Sequence, residues 1–351
     1  MNGLFALGSN GSGQLGIGHT EDVSVPKQVQ FDSDPDPDDQ ITKVAAGGNH
    51  TILLTASGKA YQSGAGATTT FHELVIPDGG SVTHVACTWA STVLAVRDAH
   101  SGQATRVYAM DLESEAEAST LTLIPNFPPT GTAIVDLAAG FRHVVAVLDS
   151  GEVYGWGHGR KGQLGALSNT DAAGGVARAP RKIEGIGFKA ARAVCCQHAT
   201  CVVGAPGDGR VRVLGADKWG LVSGAPREVP NWKTVGASWG GVYVLRRDGR
   251  LVAWGRDDHG QLPPAGLPEL AGVAAGSEHV VALSEEGEVL SWGWGEHGNC
   301  GPRVEEKSGD VKGRWNVLAS LKHLPEGASI TTIGAGCATS WINIENEGIF
   351  L

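Results

Sequence analysis

Long apolar runs are absent. Nothing in the 351 residues approaches the roughly 20 consecutive apolar positions that a bilayer-spanning helix needs, so no membrane segment is expected. The opening Met1-Asn2-Gly3-Leu4-Phe5-Ala6-Leu7-Gly8 has no basic stretch, and its apolar run breaks at Gly8, which does not fit a secretory signal. Clusters of Lys and Arg are also missing, and these 27 residues are outnumbered by 37 Asp and Glu, a formal net charge of −10. Nucleic-acid binding draws its affinity from cations that displace counterions from phosphates, so direct binding of nucleic acid is not expected. The six cysteines, Cys87, Cys195, Cys196, Cys201, Cys300 and Cys337, contain no Cys-x-x-Cys pair. That spacing disfavours a zinc site or a secreted disulfide framework and favours reduced core thiols, and so an intracellular location, without deciding between cytoplasm and nucleus.

Catalytic signatures are lacking as well. The glycine-rich Gly8-Ser9-Asn10-Gly11-Ser12-Gly13 is followed neither by Gly-Lys-Ser/Thr nor by a helix, as a phosphate loop requires. No nucleophile–base pair stands out, and no cofactor is implied. The acidic stretch from Asp32 to Asp39 carries Pro35 and Pro37 and has no closing Glu, so it reads as a solvated insertion and not as a calcium loop.

What is abundant is glycine, 52 residues without a period of three, among many short apolar runs. Val280-Val281-Ala282-Leu283 and Leu251-Val252-Ala253-Trp254 read as short strands, and Arg247-Asp248-Gly249-Arg250 and Glu285-Glu286-Gly287-Glu288 read as hairpin turns. These pieces recur in a repeat. A Val-Ala-Ala-Gly-x-x-His segment leads into an apolar run, a Gly turn, a second run ending in Trp-Gly, and Gly-Gln-Leu-Gly. The clearest copy runs from Leu137-Ala138-Ala139-Gly140-Phe141-Arg142-His143 through Trp156-Gly157 to Gly162-Gln163-Leu164-Gly165. Copies start at residues 44, 85, 137, 192, 235, 273 and 333, the spacing of four-stranded propeller blades, with the longer intervals taken up by insertions near 111–119, 168–179 and 301–315. The chain begins in mid-repeat, at Leu4-Phe5-Ala6-Leu7-Gly8, and ends in mid-repeat, at Ser340-Trp341-Ile342-Asn343-Ile344. The two fragments complete one unit. The expected fold is therefore all-β: one domain over 1–351, a seven-bladed β-propeller of four-stranded blades, closed by N- and C-terminal strands that share a blade.

Several residues look chemical but follow the repeat. His50, His143, His198 and His279 recur once per blade and are read as structural imidazoles bonded to nearby backbone, not as metal ligands. Cys195 and Cys196 are adjacent in a strand and point to opposite faces, which favours core packing. Trp156, Trp254 and Trp292 are expected to pack between blades.

The Gly-x-x-His and Trp-Gly…Gly-Gln-Leu-Gly elements resemble the regulator-of-chromosome-condensation family of seven-bladed propellers; Trp-Asp dipeptides of the other large propeller class are absent. The opening residues Leu7-Gly8-Ser9-Asn10-Gly11, Gln14-Leu15-Gly16-Ile17-Gly18-His19, Glu21-Asp22 and Pro26 are similar to the fungal α-tubulin-suppressor, or killer-toxin-insensitivity, subfamily. That resemblance implies a non-catalytic subunit. It would pair with a small zinc- or iron-binding protein of the diphthamide pathway and, through it, support Elongator-dependent tRNA wobble-uridine modification and diphthamide synthesis. The family's founder implies a second reading, a nucleotide-exchange factor for a small GTPase; the founder's basic tail has no counterpart here. A third class, a lyase or hydrolase acting in the channel, lacks a His/carboxylate cluster on the entry loops.

In the similar plant photoreceptor propellers, the two residues between Gly and His lie on one face and carry a protein interface. Carried over, the first of these positions holds Gly48, Trp89, Phe141, Cys196, Trp239, Ser277 and Cys337. The second holds Asn49, Ala90, Arg142, Gln197, Gly240, Glu278 and Ala338. Asn49, Trp89, Phe141, Arg142, Gln197, Trp239 and Glu278 are thus the candidate partner-binding residues. Aromatics and Arg dominate interface hot spots; alternatively, the three rings fold back and plug the channel. Thr88, Cys195 and Ser238 replace the motif Gly, and Ser91, Gly241 and Thr339 replace the motif His.

Overall fold

A computed structural model describes residues 3–33, 35–66, 68–97, 105–112, 120–166, 173–303 and 309–346. Its strands form seven antiparallel sheets arranged as consecutive blades. Blade 1 comprises Ile41–Ala46, His50–Thr55, Ala60–Gly64 and Thr68–Glu73. Blades 2, 3 and 6 repeat this order from Ser81–Cys87, Ile134–Ala139 and Leu270–Ala275. Blade 7 is assembled from both ends: Ala328–Ala335 and Thr339–Asn346 supply the inner strands, and Gly3–Gly8 and Val23–Gln28 the outer ones. Gly3–Gly8 pairs with Thr339–Asn346 over six successive positions, Gly3 opposite Ile344 through Gly8 opposite Thr339, which is the expected closure.

Blades 4 and 5, beginning at Ala190–Cys195 and Trp232–Ala237, follow the same plan with the outermost position filled by irregular chain. In blade 4 that chain is held by an Arg210–Glu228 bridge and by Val211 N donating to Arg227 O at 2.9 Å. Pro226 and Pro230 flank it there, and Pro263-Pro264 follow the third strand of blade 5; proline has no N–H to donate to a ladder. The expected insertions shrink in two places. Val176–Ala179 and Val311–Trp315 belong to the outer strands Val176–Lys182 and Val311–Ser320. Residues 113–119, 168–172 and 304–308 of those insertions lie outside the described residues.

The core lies between blades, not within them. Seven clusters of buried side chains among the described residues each join two adjacent blades. A second strand such as His50–Thr55 or His143–Leu148 is buried along its whole length because a blade covers each face. This explains why these strands read as continuous apolar runs and not as alternating ones. Trp254 Nε1 donates to Leu221 O at 3.0 Å and Trp292 Nε1 to Gln261 O at 3.1 Å, so each ring is tied to the loop of the preceding blade. Cys195 joins the cluster between blades 3 and 4, and Cys196 and Cys201 join the one between blades 4 and 5.

The histidines differ from the sequence reading in two respects. His143 Nε2 meets Thr200 Oγ1 at 3.0 Å, and His279 Nε2 meets Ser340 Oγ at 2.9 Å, hydroxyls on the next blade that the sequence reading did not name, while the Thr339 backbone also bonds the His279 ring. Ser340 Oγ itself donates to Asn299 O at 2.7 Å, which makes His279 Nε2–H the donor to it. Thr92 holds the equivalent place after His50. Burial pushes all three imidazoles down, to about 4 for His50, about 3 for His143 and about 4 for His279, and they stay neutral. His198 is not one of this set. Cys195 pairs with Thr200 as Ala139 pairs with Val144, so blade 4 is shifted by one residue from the sequence alignment. Cys196 takes the place of the motif Gly, Gln197 and His198 are the two loop residues, and Ala199 stands where His is expected.

Candidate partner-binding face

Because neighbouring strands are antiparallel, the loop from first to second strand and the loop from third to fourth emerge on the same face of every blade. Backbone bonds tie them: Arg142 O accepts from His158 N at 2.8 Å, Gly240 O from Arg256 N at 2.8 Å, and Glu278 O from Trp294 N at 2.9 Å. A second series runs from blade to blade. Gly48 N donates to Trp89 O, Trp89 N to Phe141 O, Gln197 N to Trp239 O, and Trp239 N to Ser277 O, at 2.8–3.0 Å. In the blades that keep it, the motif glycine allows a close approach to the next blade. A Cβ on Gly140 would stand 2.4 Å from Cys196 O and 2.5 Å from the His143 ring, and one on Gly276 would stand 2.5 Å from Gly336 O.

These loops bring together three of the residues that the repeat singled out. The ring of Trp89 lies 5.2 Å from Phe141 and 6.0 Å from Trp239, and Phe141 lies 5.5 Å from Trp239. Rings from blades 2, 3 and 5 therefore meet above the channel and line its cavity. Gly48 makes room for them, since a Cβ there would be 2.6 Å from the Trp89 indole. All three rings are half-buried. The rings line the mouth of the channel, and part of each remains exposed on the face.

The other candidates are dispersed. Arg142 is exposed, with its guanidinium 5.5 Å from the Phe141 centroid, a cation–π arrangement at the edge of the cluster. Asn49 is exposed on blade 1, where its carbonyl accepts from Ala65 N at 2.6 Å. Gln197 is half-buried on blade 4. Glu278 is buried, and its carboxylate is already engaged: Arg256 Nη1 at 2.6 Å and Gln261 Nε2 at 2.9 Å. Its side chain positions Arg256 and has little left to offer a partner.

A second feature of this face was missed by the sequence reading. Trp219, in the outer loop of blade 4, is 44% exposed and has φ +65°, a conformation that bulky residues rarely adopt. Lys218 Nζ and Arg256 Cζ lie 5.1 and 5.2 Å from its ring centroid. Asp258 holds Arg256 through both carboxylate oxygens, at 2.6 and 2.8 Å. The signal in the sequence is a Trp before the loop Gly, where other blades carry Ser12, Lys161, His259 or His297.

One apparent catalytic motif dissolves on inspection. Gly236-Ala237-Ser238-Trp239-Gly240 fits Gly-x-Ser-x-Gly, but Ser238 is 2% exposed, and its Oγ accepts from Gly240 N at 3.3 Å. The segment ends a strand and enters a short loop with no helix behind it, unlike a nucleophile elbow. Among the described residues, no three His, Cys, Asp or Glu side chains gather as metal ligands would. Burial raises the thiol of Cys196 to about 12 and those of Cys195 and Cys201 higher still, away from the thiolate that metals bind.

The fold defines a closed repeat propeller with an aromatic cluster on one loop face. Regulator of chromosome condensation (RCC1) repeat profiles match residues 2–54 and 150–203, and a second profile of the same repeat matches 134–163 and 271–299. The RCC1 repeat-containing protein C10F6.04 of Schizosaccharomyces pombe is 30% identical over 98% of this chain and 99% of its own length. The chain belongs to the RCC1 repeat family. The mouse secretion-regulating guanine nucleotide exchange factor is 27% identical over 74% of this chain, which spans 61% of that protein. Prp20p of Saccharomyces cerevisiae shares the fold, with a TM-score of 0.79 and 19% identity over 99% of this chain and 92% of that structure.

Proposed function

We propose that this RCC1-family propeller is a non-catalytic binding subunit that recognises its partner with the face carrying Trp89, Phe141, Trp239 and Arg142. The observation that carries the reading is the half-exposed aromatic cluster with an exposed guanidinium at its rim. Large rigid rings and Arg bury much area with few rotors, which suits a hot spot. The partner proposed is the small zinc- or iron-binding protein of the diphthamide pathway, in a heterodimer that acts indirectly with Elongator in tRNA wobble-uridine modification, in cytoplasm and nucleus. Support for this finer reading comes from the opening segment, Leu7 to Pro26, alone; the end-to-end match to a fission yeast relative supports the RCC1 family and the propeller length.

The test is direct binding of the purified metalloprotein. Arg142→Glu is expected to weaken capture at least ten-fold with an unchanged melting temperature, because Arg142 is exposed. Trp89→Ala should weaken capture and also lower the melting temperature, because its ring is part of the cap. No binding by the intact chain would sink the partner assignment. A second reading, nucleotide exchange on a small GTPase, is favoured by the mouse relative's described role. Accelerated nucleotide release from a panel of loaded GTPases, lost in Arg142→Glu, would favour it over the first.

A further inference from the structure

The channel below the aromatic cap holds a cavity of about 510 Å³. Its walls are largely Ala, Gly and Val, among which Lys43, Asp136, Arg192 and Thr234 supply polar side chains. In every blade the first strand carries a β-bulge, and the residues just after it form one layer of the ring, Lys43, His84, Asp136, Arg192, Thr234, Gly272 and Thr332, of which Lys43, Asp136, Arg192 and Thr234 line the cavity. Bulges re-aim side chains and are common beside sites.

Most of the layer's charged and polar members are committed to the next blade. His84 Nε2 donates to Val135 O at 3.2 Å, and Thr332 Oγ1 donates to Ile41 O at 3.1 Å. Asp136 is fully used: Oδ1 accepts from Arg192 Nη1 at 2.8 Å and Oδ2 from Ala193 N at 2.8 Å. Lys43 lines the same cavity and makes no such bond. The layer's carboxylate is bonded to Arg192 and Ala193, so Lys43 and Arg192, whose side chain is 49% exposed, face one compensating charge across the channel. Burial weakens the Lys43 ammonium's hold on its proton; the Asp136 charge opposes this, and the Arg192 charge adds to it. His84 is held neutral mainly by burial and does not add to the positive charge.

We propose that the channel is a binding site for a small organic oxyanion, a carboxylate- or phosphate-bearing molecule whose charged group sits between Lys43 and Arg192. The ligand's body would occupy the apolar wall between the polar layer and the rings. The volume falls in the range of small-molecule sites. Both anion classes supply the oxygens that a lysine and an arginine can share.

The experiment uses the full chain, with inorganic phosphate and citrate as separate probes, against chloride of equal ionic strength. Saturable binding by calorimetry is expected with at least one probe, together with a rise in melting temperature that follows ligand occupancy. Citrate binding without phosphate binding would assign the carboxylate class, and the converse the phosphate class. Lys43→Met should melt no lower than the parent and bind at least ten-fold more weakly; Lys43→Arg should restore binding. Absence of saturable binding with both probes, or equal binding by Lys43→Met, would overturn the proposal.

Discussion

The three neutral imidazoles give the protein a pH dependence that belongs to single residues. His50, His143 and His279 have folded values of about 4, 3 and 4, below the ordinary value near 6.5 that the unfolded chain regains. Between these limits the unfolded state binds more protons than the folded one. Their contribution to stability is therefore complete above about pH 6.5 and declines as the pH falls toward 4, by up to about 1.4 kcal/mol per pH unit for each residue. Melting temperatures measured from pH 7.5 to 4.5 should drop steeply, and His279→Gln should flatten the slope by about a third of the histidine part. An unchanged slope would show that carboxylates alone set the acid sensitivity. Much of the pairing was written in the chain: Thr92, Thr200 and Ser340 follow the blades with His50, His143 and His279, while Val144, Val242 and Val280 occupy that place where the preceding blade lacks His, with Thr51 after Thr339 the exception.

Loops and strand registers are where the sequence became harder to read. The motif glycine is a test case. Gly276→Ala is expected to cost about 2–4 kcal/mol, since its Cβ would meet backbone of the next blade and the buried His279 ring. Gly11→Ala, with nothing within 4 Å of the added carbon, should be neutral. Denaturant titration of the two variants checks both, and equal effects would mean that the inter-blade contact is soft. The blade count, the closure and the face bearing the rings were all legible, because each repeats seven times or is fixed by topology. The register of blade 4 was not. Neither Cys195 nor Cys196 is Gly, and His198 offered a false anchor one residue early; only the pairing of Cys195 with Thr200 locates the turn. Glu278 looked available because the sequence does not reveal Arg256 and Gln261 beside it. Trp219 escaped notice because its exposure and left-handed backbone arise from tertiary packing.

At the scale of the whole molecule, stability resides in seven interfaces joined in a ring, so each blade depends on both neighbours. Deleting Thr339–Asn346 removes the strand that pairs Gly3–Gly8 and opens two interfaces at once. The truncated chain is expected to be insoluble or non-cooperative on heating, and a soluble form with a single sharp transition would refute ring-dependent folding. The shared blade also orders events in time. Gly3–Gly8 precedes its inner partner Thr339–Asn346 by more than 300 residues of chain. During translation this hydrophobic strand keeps an open edge until that partner has been made. Nascent protein should therefore need shielding by a chaperone until Thr339–Asn346 has emerged, and slowing elongation should prolong that exposure instead of relieving it.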